Sequence, residues 1–214
     1  MRSQAIRRPL LKRVMDTTLA GGLVVVTLPV SVAATAAMAV DMLVRPRDRG
    51  PFLYRERRVS RGREFDLLKV RTLRREVHAT QSGAEAHARP LEADPSNLTW
   101  AGRRVLKPWY LDELPQLVNV LRGDLSLVGP RPWPPSMVRG QVDAGLDYRL
   151  HVLAGWTGPA QVAKDVTRDH ADAALDLAYL EACRTWGALR LARHDLGILR
   201  RTLGLIVRGE GLRY

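Results

Sequence analysis

From Thr17 to Val40 the chain runs for 24 positions without a charged side chain, and Pro29 sits at the middle of that run. Such a length suffices for a helix to cross a bilayer. Proline changes the expectation, because it removes a backbone donor and clashes with the preceding helical turn. Extended to Val44, the segment measures about 42 Å as a straight helix. Broken at Pro29, each arm measures about 18–23 Å, short of a hydrocarbon core of about 30 Å.

Charge placement bears on the same question. The 214 residues include 34 Lys and Arg against 22 Asp and Glu, a formal charge of +12. Residues 1–13 carry five basic side chains and no acid, and residues 45–75 carry twelve against four. The 139 residues after 75 are nearly neutral. A spanning helix keeps its positive flank on the cytoplasmic side. Two positive flanks fit a helix that enters the membrane, bends at Pro29 and leaves by the same face. Two other readings remain open. One is a straight or gently kinked span, since proline is common in such helices. The other is a signal peptide, with Arg7-Arg8 as a twin-arginine pair and Ala37-Met38-Ala39 as the cleavage site. Against the latter, Arg45, Arg47 and Arg49 follow within ten residues of that cut.

Apolar residues make up 46% of the chain, which marks a folded protein. The single cysteine, Cys183, excludes an intrachain disulfide and any multi-cysteine metal cluster. The five histidines are scattered, with no zinc-ligand spacing. Residues 52–59 and 64–70 read as two strands joined by a tight turn at Ser60-Arg61-Gly62-Arg63, with Gly62 at positive φ. Residues 76–98 read as a polar loop or short helix. Apolar residues at 111, 114, 117, 118 and 121 predict a helix that Gly123 stops. Gly129 to Pro135 is too proline-rich for helix and reads as an ordered loop. Residues 169–207 read as one or two basic amphipathic helices with a break near His194-Asp195. Such a helix either lies on a membrane surface or covers the core.

Two places carry chemistry. Asp112 and Glu113 are adjacent carboxylates at a predicted helix start, about 100° apart around the axis. They can divide labour, one attacking and one holding a metal, with the helix dipole favouring the anions. Ordinary charge complementation of a helix start is the plainer reading. Arg131 lies between Pro130 and Pro132, on a stiff backbone suited to bidentate phosphate recognition. A solvated surface turn is the plainer reading there.

Longer runs join these sites. They are Lys12-Arg13-x-x-Asp16, Gly50-Pro51, Lys69-Val70-Arg71-Thr72, Asp94-Pro95, and Leu111 to Leu117 (LDELPQL). Asn119 to Pro132 (NVLRGDLSLVGPRP), Gly155-x-Thr157-Gly158 with Gln161-Val162, and Leu175 to Leu180 follow. Together they resemble the bacterial sugar transferases, monotopic enzymes that move a sugar-1-phosphate onto a polyprenyl phosphate. The resemblance implies an α+β, predominantly helical monotopic membrane protein. Residues 1–44 would form a re-entrant membrane helix with its basic flank, and residues 45–214 a cytoplasmic catalytic domain with a small β-hairpin and C-terminal amphipathic helices. It also implies the reaction. A nucleoside-diphosphate sugar, expected to be a UDP-sugar, gives its sugar-1-phosphate to the lipid, the first lipid-linked step of a surface glycan. Asp112 would be the nucleophile, forming an aspartyl-phosphosugar, and Glu113 would hold Mg²⁺. Lys69, Arg71, Lys107 and Arg131 would bind substrate phosphates. Pro130, Pro132 and Gln161 would shape the substrate loop, and Pro29 would break the membrane helix. The expected location is the cytoplasmic face of the bacterial inner membrane, with membrane lipid as a partner and nucleic acid not one. A homodimer is left open.

The chain departs from the family pattern in places. Lys107 replaces an arginine, and one residue is inserted between Gly102 and Asp112. Leu28 precedes the membrane proline, Val70 and Ala154 replace Phe and Pro, and Ala163-Lys164 follows Gln161-Val162. A different class of function, a membrane-anchored basic module for nucleic acid or anionic lipid, would explain residues 45–75. It leaves Asp112, Glu113 and Arg131 unused and offers only Phe52, Tyr54 and Phe65 as rings.

Overall fold

A computed structural model of the chain describes residues 6, 8–79, 89–163 and 170–208. Arg7, residues 80–88 of the polar segment and Lys164 lie outside the described residues. The chain is mostly helical, with one small antiparallel hairpin and one long apolar helix near its start.

That helix, α1 (Leu10–Val44), is continuous and has Pro29 inside it. The break expected at Pro29 is thus not an interruption. Proline leaves the Val25 carbonyl without its usual donor. Hydroxyls on either side donate to carbonyls one turn back: Thr27 to the Leu23 carbonyl over 2.7 Å, and Ser31 to the Thr27 carbonyl over 2.9 Å. Bonds of this kind bend a helix without ending it.

Both ends of α1 are fastened to the same body of protein. Near the start, Asp16 pairs with Arg8 and accepts from the Ser126 hydroxyl over 2.7 Å. Lys12 pairs with Asp195 and donates to the Val128 carbonyl over 3.3 Å. Near the finish, Asp41 accepts from the Ala101 amide over 2.9 Å and pairs with Arg45. Between these anchors, Val25, Val26 and Val32 stand 61–73% exposed.

The hairpin forms where the residues 52–70 pattern places it. Strand β1 (Leu53–Ser60) pairs antiparallel with β2 (Arg63–Val70), Ser60 opposite Arg63. Arg61 and Gly62 both have positive φ, at 48° and 71°, as a two-residue turn between right-twisted strands requires. Period-two alternation sends Tyr54, Glu56 and Arg58 inward and Arg55 and Arg57 outward. Two short helices follow, α2 (Arg75–Ala79) and α3 (Arg89–Glu92).

Residues Gly102–Leu106 form a π-helical turn, a wider winding than that of an α-helix. A 3-10 turn over Lys107–Trp109 comes next, then Tyr110 in the left-handed region at φ 55°. The single helix expected from Leu111 is in fact two pieces. Leu111–Glu113 is a 3-10 turn, and helix α4 (Gln116–Arg122) begins only after Pro115, which has no N–H to donate to the Leu111 carbonyl. Gly123 stops α4 as expected, at φ 90°.

Strand β3 (Ser126–Val128) pairs in parallel with β4 (Gly155–Thr157), and helix α5 (Pro135–Asp143) lies between them in sequence. A Cβ on Gly155 would sit 2.1 Å from the Gly129 nitrogen, and one on Gly129 would sit 2.4 Å from the Leu153 carbonyl oxygen. The loop bearing Pro130, Arg131 and Pro132 therefore lies backbone to backbone on β4, which only glycine permits. Helices α6 (Pro159–Val162), α7 (His170–Thr185) and α8 (Ala188–Val207) complete the chain. The C-terminal break falls at Gly187, with ψ 155°, and not near His194-Asp195. Asp195 is buried against Lys12, so α8 runs straight through it. Phe65 and Leu67 from β2, Leu117 and Val120 from α4, and Leu191 and Ile198 from α8 form the core, which Ala20 of α1 joins.

Candidate active site

Asp112 and Glu113 sit on the 3-10 turn between Tyr110 and Pro115, 1% and 6% exposed. They are not in the first turn of an α-helix, and the dipole stabilisation expected for them does not operate. The Asp112 carboxyl is instead pushed up, to about 6. Burial is the main cause; Lys107 opposes it and the Glu113 charge adds to it.

Lys107 reaches Asp112 because the left-handed Tyr110 folds the preceding turn back over the dyad. Its ammonium lies 2.9 Å from Asp112 Oδ2 and 2.6 Å from Glu92 Oε2. Burial alone would lower the Lys107 pKa, but Asp112 and Glu92 outweigh it and hold it raised. Glu92 also accepts from the Thr72 hydroxyl over 2.6 Å. Asp112 Oδ1 is buried with no hydrogen-bond partner among the described residues. Arg131 faces the other carboxylate, with Nη2 3.9 Å from Glu113 Oε1. Lys69 is 5% exposed, lies 3.3 Å from Glu56, and is close enough to lower the pKa of Asp112.

Residues 7–209 match the family described as bacterial sugar transferase. The chain belongs to that family. An undecaprenyl-phosphate galactose phosphotransferase of Salmonella typhimurium is 35% identical over 178 residues, covering 77% of this chain and 35% of that protein. A UDP-galactose-lipid carrier transferase of Erwinia amylovora is 33% identical, covering 94% and 41%. A UDP-glucose:undecaprenyl-phosphate glucose-1-phosphate transferase of Caulobacter vibrioides is 32% identical, covering 84% and 66%. The chain thus spans from about a third to two thirds of the length of these relatives.

In this member of the sugar transferase family, the fold brings Lys69, Lys107 and Arg131 to the dyad. It does not bring Arg71. That guanidinium is 1% exposed and spends its donors on three backbone carbonyls, Asp48 at 2.6 Å, Leu73 at 2.8 Å and Pro51 at 3.0 Å. Its role is to tie the segment before β1 to the segment after β2. Pro130 and Pro132 are buried and hold Arg131 between them, with the Pro130 carbonyl accepting from the Gly155 amide over 2.8 Å. Gln161 is buried on α6, which packs on α7 and α8, and its amide has no partner among the described residues. Sequence reasoning missed Glu92, Glu56 and Arg58. Glu92 lay in a polar segment with no periodicity to mark it. Glu56 and Arg58 lay in a strand with charges on both faces, where alternation could not tell inside from outside.

No group of three or more His, Cys, Asp or Glu is placed to hold a metal among the described residues. A magnesium ion does not need one, since it commonly takes one or two carboxylates and completes its shell with phosphate oxygens and water. Glu113, a buried carboxylate next to Asp112, fits that requirement.

Proposed function

We propose that this chain transfers a sugar-1-phosphate from a nucleoside-diphosphate sugar to a polyprenyl phosphate, through an aspartyl-phosphosugar on Asp112. One observation carries the reading: Lys107 occupies Asp112 Oδ2 and leaves the buried Oδ1 without a partner among the described residues, in a site with Glu113 and Arg131. Oδ1 bonds to the sugar-bearing phosphorus, the bond to the bridging oxygen breaks, and the nucleoside monophosphate departs with the electron pair. An oxygen of the polyprenyl phosphate then bonds to the same phosphorus and releases Asp112. Splitting the transfer lets two bulky substrates use one site in turn. Glu113 would hold Mg²⁺, which would supply charge neutralisation at the phosphate oxygens. Lys69 and Arg131 hold and orient those oxygens. The names of the Erwinia and Caulobacter relatives support a UDP-sugar as donor, and with it the opening step of a lipid-linked glycan.

Membrane association on the cytoplasmic face of the inner membrane belongs to the same proposal. A domain on one side of a bilayer cannot bond to both ends of a spanning helix, yet Asp16 and Asp41 tie both ends of α1 to one body. This supports a re-entrant α1 with its exposed valines in lipid. An apolar groove of ≈ 210 Å³ runs between α1 and the dyad turn, lined by Leu28, Ser31, Val70, Leu111 and Leu114. It would lead an isoprenoid chain toward Asp112. On α8, Leu189, Leu196, Leu203 and Val207 are exposed at helical spacing, with Arg193 and Arg200 among them, a face suited to an anionic lipid surface.

The test uses the purified chain in lipid vesicles with polyprenyl phosphate, Mg²⁺ and a panel of UDP-sugars. Nucleotide release and a sugar-phosphate mass increment on the Asp112 peptide are expected. Failure to release nucleotide with any donor would overturn the proposal.

A further inference from the structure

Past Lys69 and Arg131 the site continues into a second cavity, lined also by Arg58, Trp133, Met137 and Trp156. The residues lining it are unused by the chemistry described above, apart from the two it shares. We infer that this cavity holds the nucleoside-monophosphate half of the donor, with its phosphate against Arg58, Lys69 and Arg131 and its base on the Trp133 ring. The inference rests on the transferase reading.

Charge comes first. Arg58, Lys69 and Arg131 line the cavity; Glu56 pairs with Arg58 and Lys69, Glu113 lies 3.9 Å from Arg131, and Lys69 also acts on Asp112 and Glu92. Arg58 is 4% exposed, and burial lowers the pKa of its guanidinium. Glu56 opposes that shift and the nearby Arg131 adds to it. An anion seated between the buried Arg58 and the half-buried Arg131 relieves the repulsion between them. When the bond between phosphorus and the bridging oxygen breaks, the departing oxygen keeps the electron pair. Its new charge then develops next to Arg131 and Lys69, where fixed cations stabilise it.

Size and shape come second. The enclosed part measures ≈ 50 Å³, room for a small anion and not for a nucleoside. The base must therefore lie at the mouth, which Trp133 and the 41% exposed Met137 flank. Trp133 is held as a platform. Prolines precede and follow it, its carbonyl accepts from the Val59 amide over 3.0 Å, and the Arg149 guanidinium lies 4.0 Å from its ring centroid. Arg149 is itself anchored to Asp176 at 3.2 Å. A ring so fixed loses little freedom on stacking. Trp156 adds a donor, since its Nε1 is buried without a hydrogen-bond partner among the described residues.

The experiment measures two things on the full chain in vesicles: steady-state turnover, and equilibrium binding of UMP, GMP and glucose-1-phosphate. Trp133→Ala is expected to raise the donor KM and weaken nucleotide binding about tenfold or more, with the KM for polyprenyl phosphate unchanged and Trp133→Phe restoring most of the loss. Met137→Glu, on the exposed mouth, should act in the same direction without lowering Tm, which covers the case of a misfolded Trp133 variant. Unchanged nucleotide binding and donor KM in both Trp133→Ala and Met137→Glu overturn the inference and leave the transferase reading standing. Preferential, Trp133-dependent binding of glucose-1-phosphate also overturns it, by assigning the cavity to the sugar half. Absence of turnover by the unsubstituted chain with every donor overturns the transferase reading instead.

Discussion

The Lys107 ammonium holds one oxygen of Asp112 at 2.9 Å and leaves the other buried and unpartnered among the described residues. A buried carboxylate half satisfied in this way costs stability and gains reactivity, the arrangement expected of a nucleophile. Asp112→Asn is therefore expected to abolish the covalent intermediate while leaving Tm unchanged or raised. Turnover near the unsubstituted level, or a Tm fall of several degrees, would count against the assignment. Lys107→Met should do the opposite to stability, costing about 1–3 kcal/mol, because Asp112 and Glu92 lose the charge between them.

Glu92 gives a pH signature. Burial raises its pKa, but Lys107 and Lys69 outweigh that and hold it below the ordinary value. A depressed folded-state value means stability that is in place above the unfolded pKa and is lost as pH falls through the folded one. The Tm gap between the unsubstituted chain and Glu92→Gln should be full at about pH 7, begin to close near about pH 4.3, and vanish at lower pH. A gap independent of pH across that range would show that the ion pairs are not its source.

Arg71 and Arg131 should separate stability from catalysis. Removing the Arg71 side chain strands three backbone carbonyls, so Arg71→Ala is expected to lose about 3 kcal/mol or more, read by denaturant unfolding. Its donor KM, measured where the variant remains folded, should stay the same. Arg131→Ala should keep its Tm and lose about 10²–10³-fold in turnover. The reverse pattern would reinstate Arg71 as a phosphate ligand.

The fastening of both ends of α1 predicts a topology. Single cysteines at Leu10 and Val44, 78% and 69% exposed, can be introduced on a Cys183→Ser background. A membrane-impermeant maleimide should label neither in intact cells and both in inside-out vesicles. Labelling of one from each side would establish a spanning helix.

Local signals made much of the fold legible. The hairpin followed from a turn that needs positive φ and from residues that alternate around it. Gly123 stopped α4 because only glycine sits easily at φ 90°. The three-residue strands β3 and β4 gave no such signal, since their pairing joins residues about thirty apart and their backbones meet through glycine contacts. The C-terminal break was misplaced for a related reason: a charged residue such as Asp195 reads as helix surface until its partner Lys12, 183 positions away, is known.

By itself, the sequence determined that a long uncharged helix lies between two basic blocks, and that Asp112, Glu113 and the Pro-Arg-Pro loop are the places where chemistry is possible. Those properties reside in residue type and short spacing. Tertiary structure decided which cations serve the dyad. Lys69 and Arg71 are two residues apart on the same run, yet one faces Glu56 beside the site and the other is consumed by three backbone carbonyls before β1 and after β2. It also decided that Glu92 holds Lys107, and that both ends of α1 are tied to one body of protein. An arginine has the same charge in either setting; only the groups that the fold places around it determine whether that charge is left for a substrate.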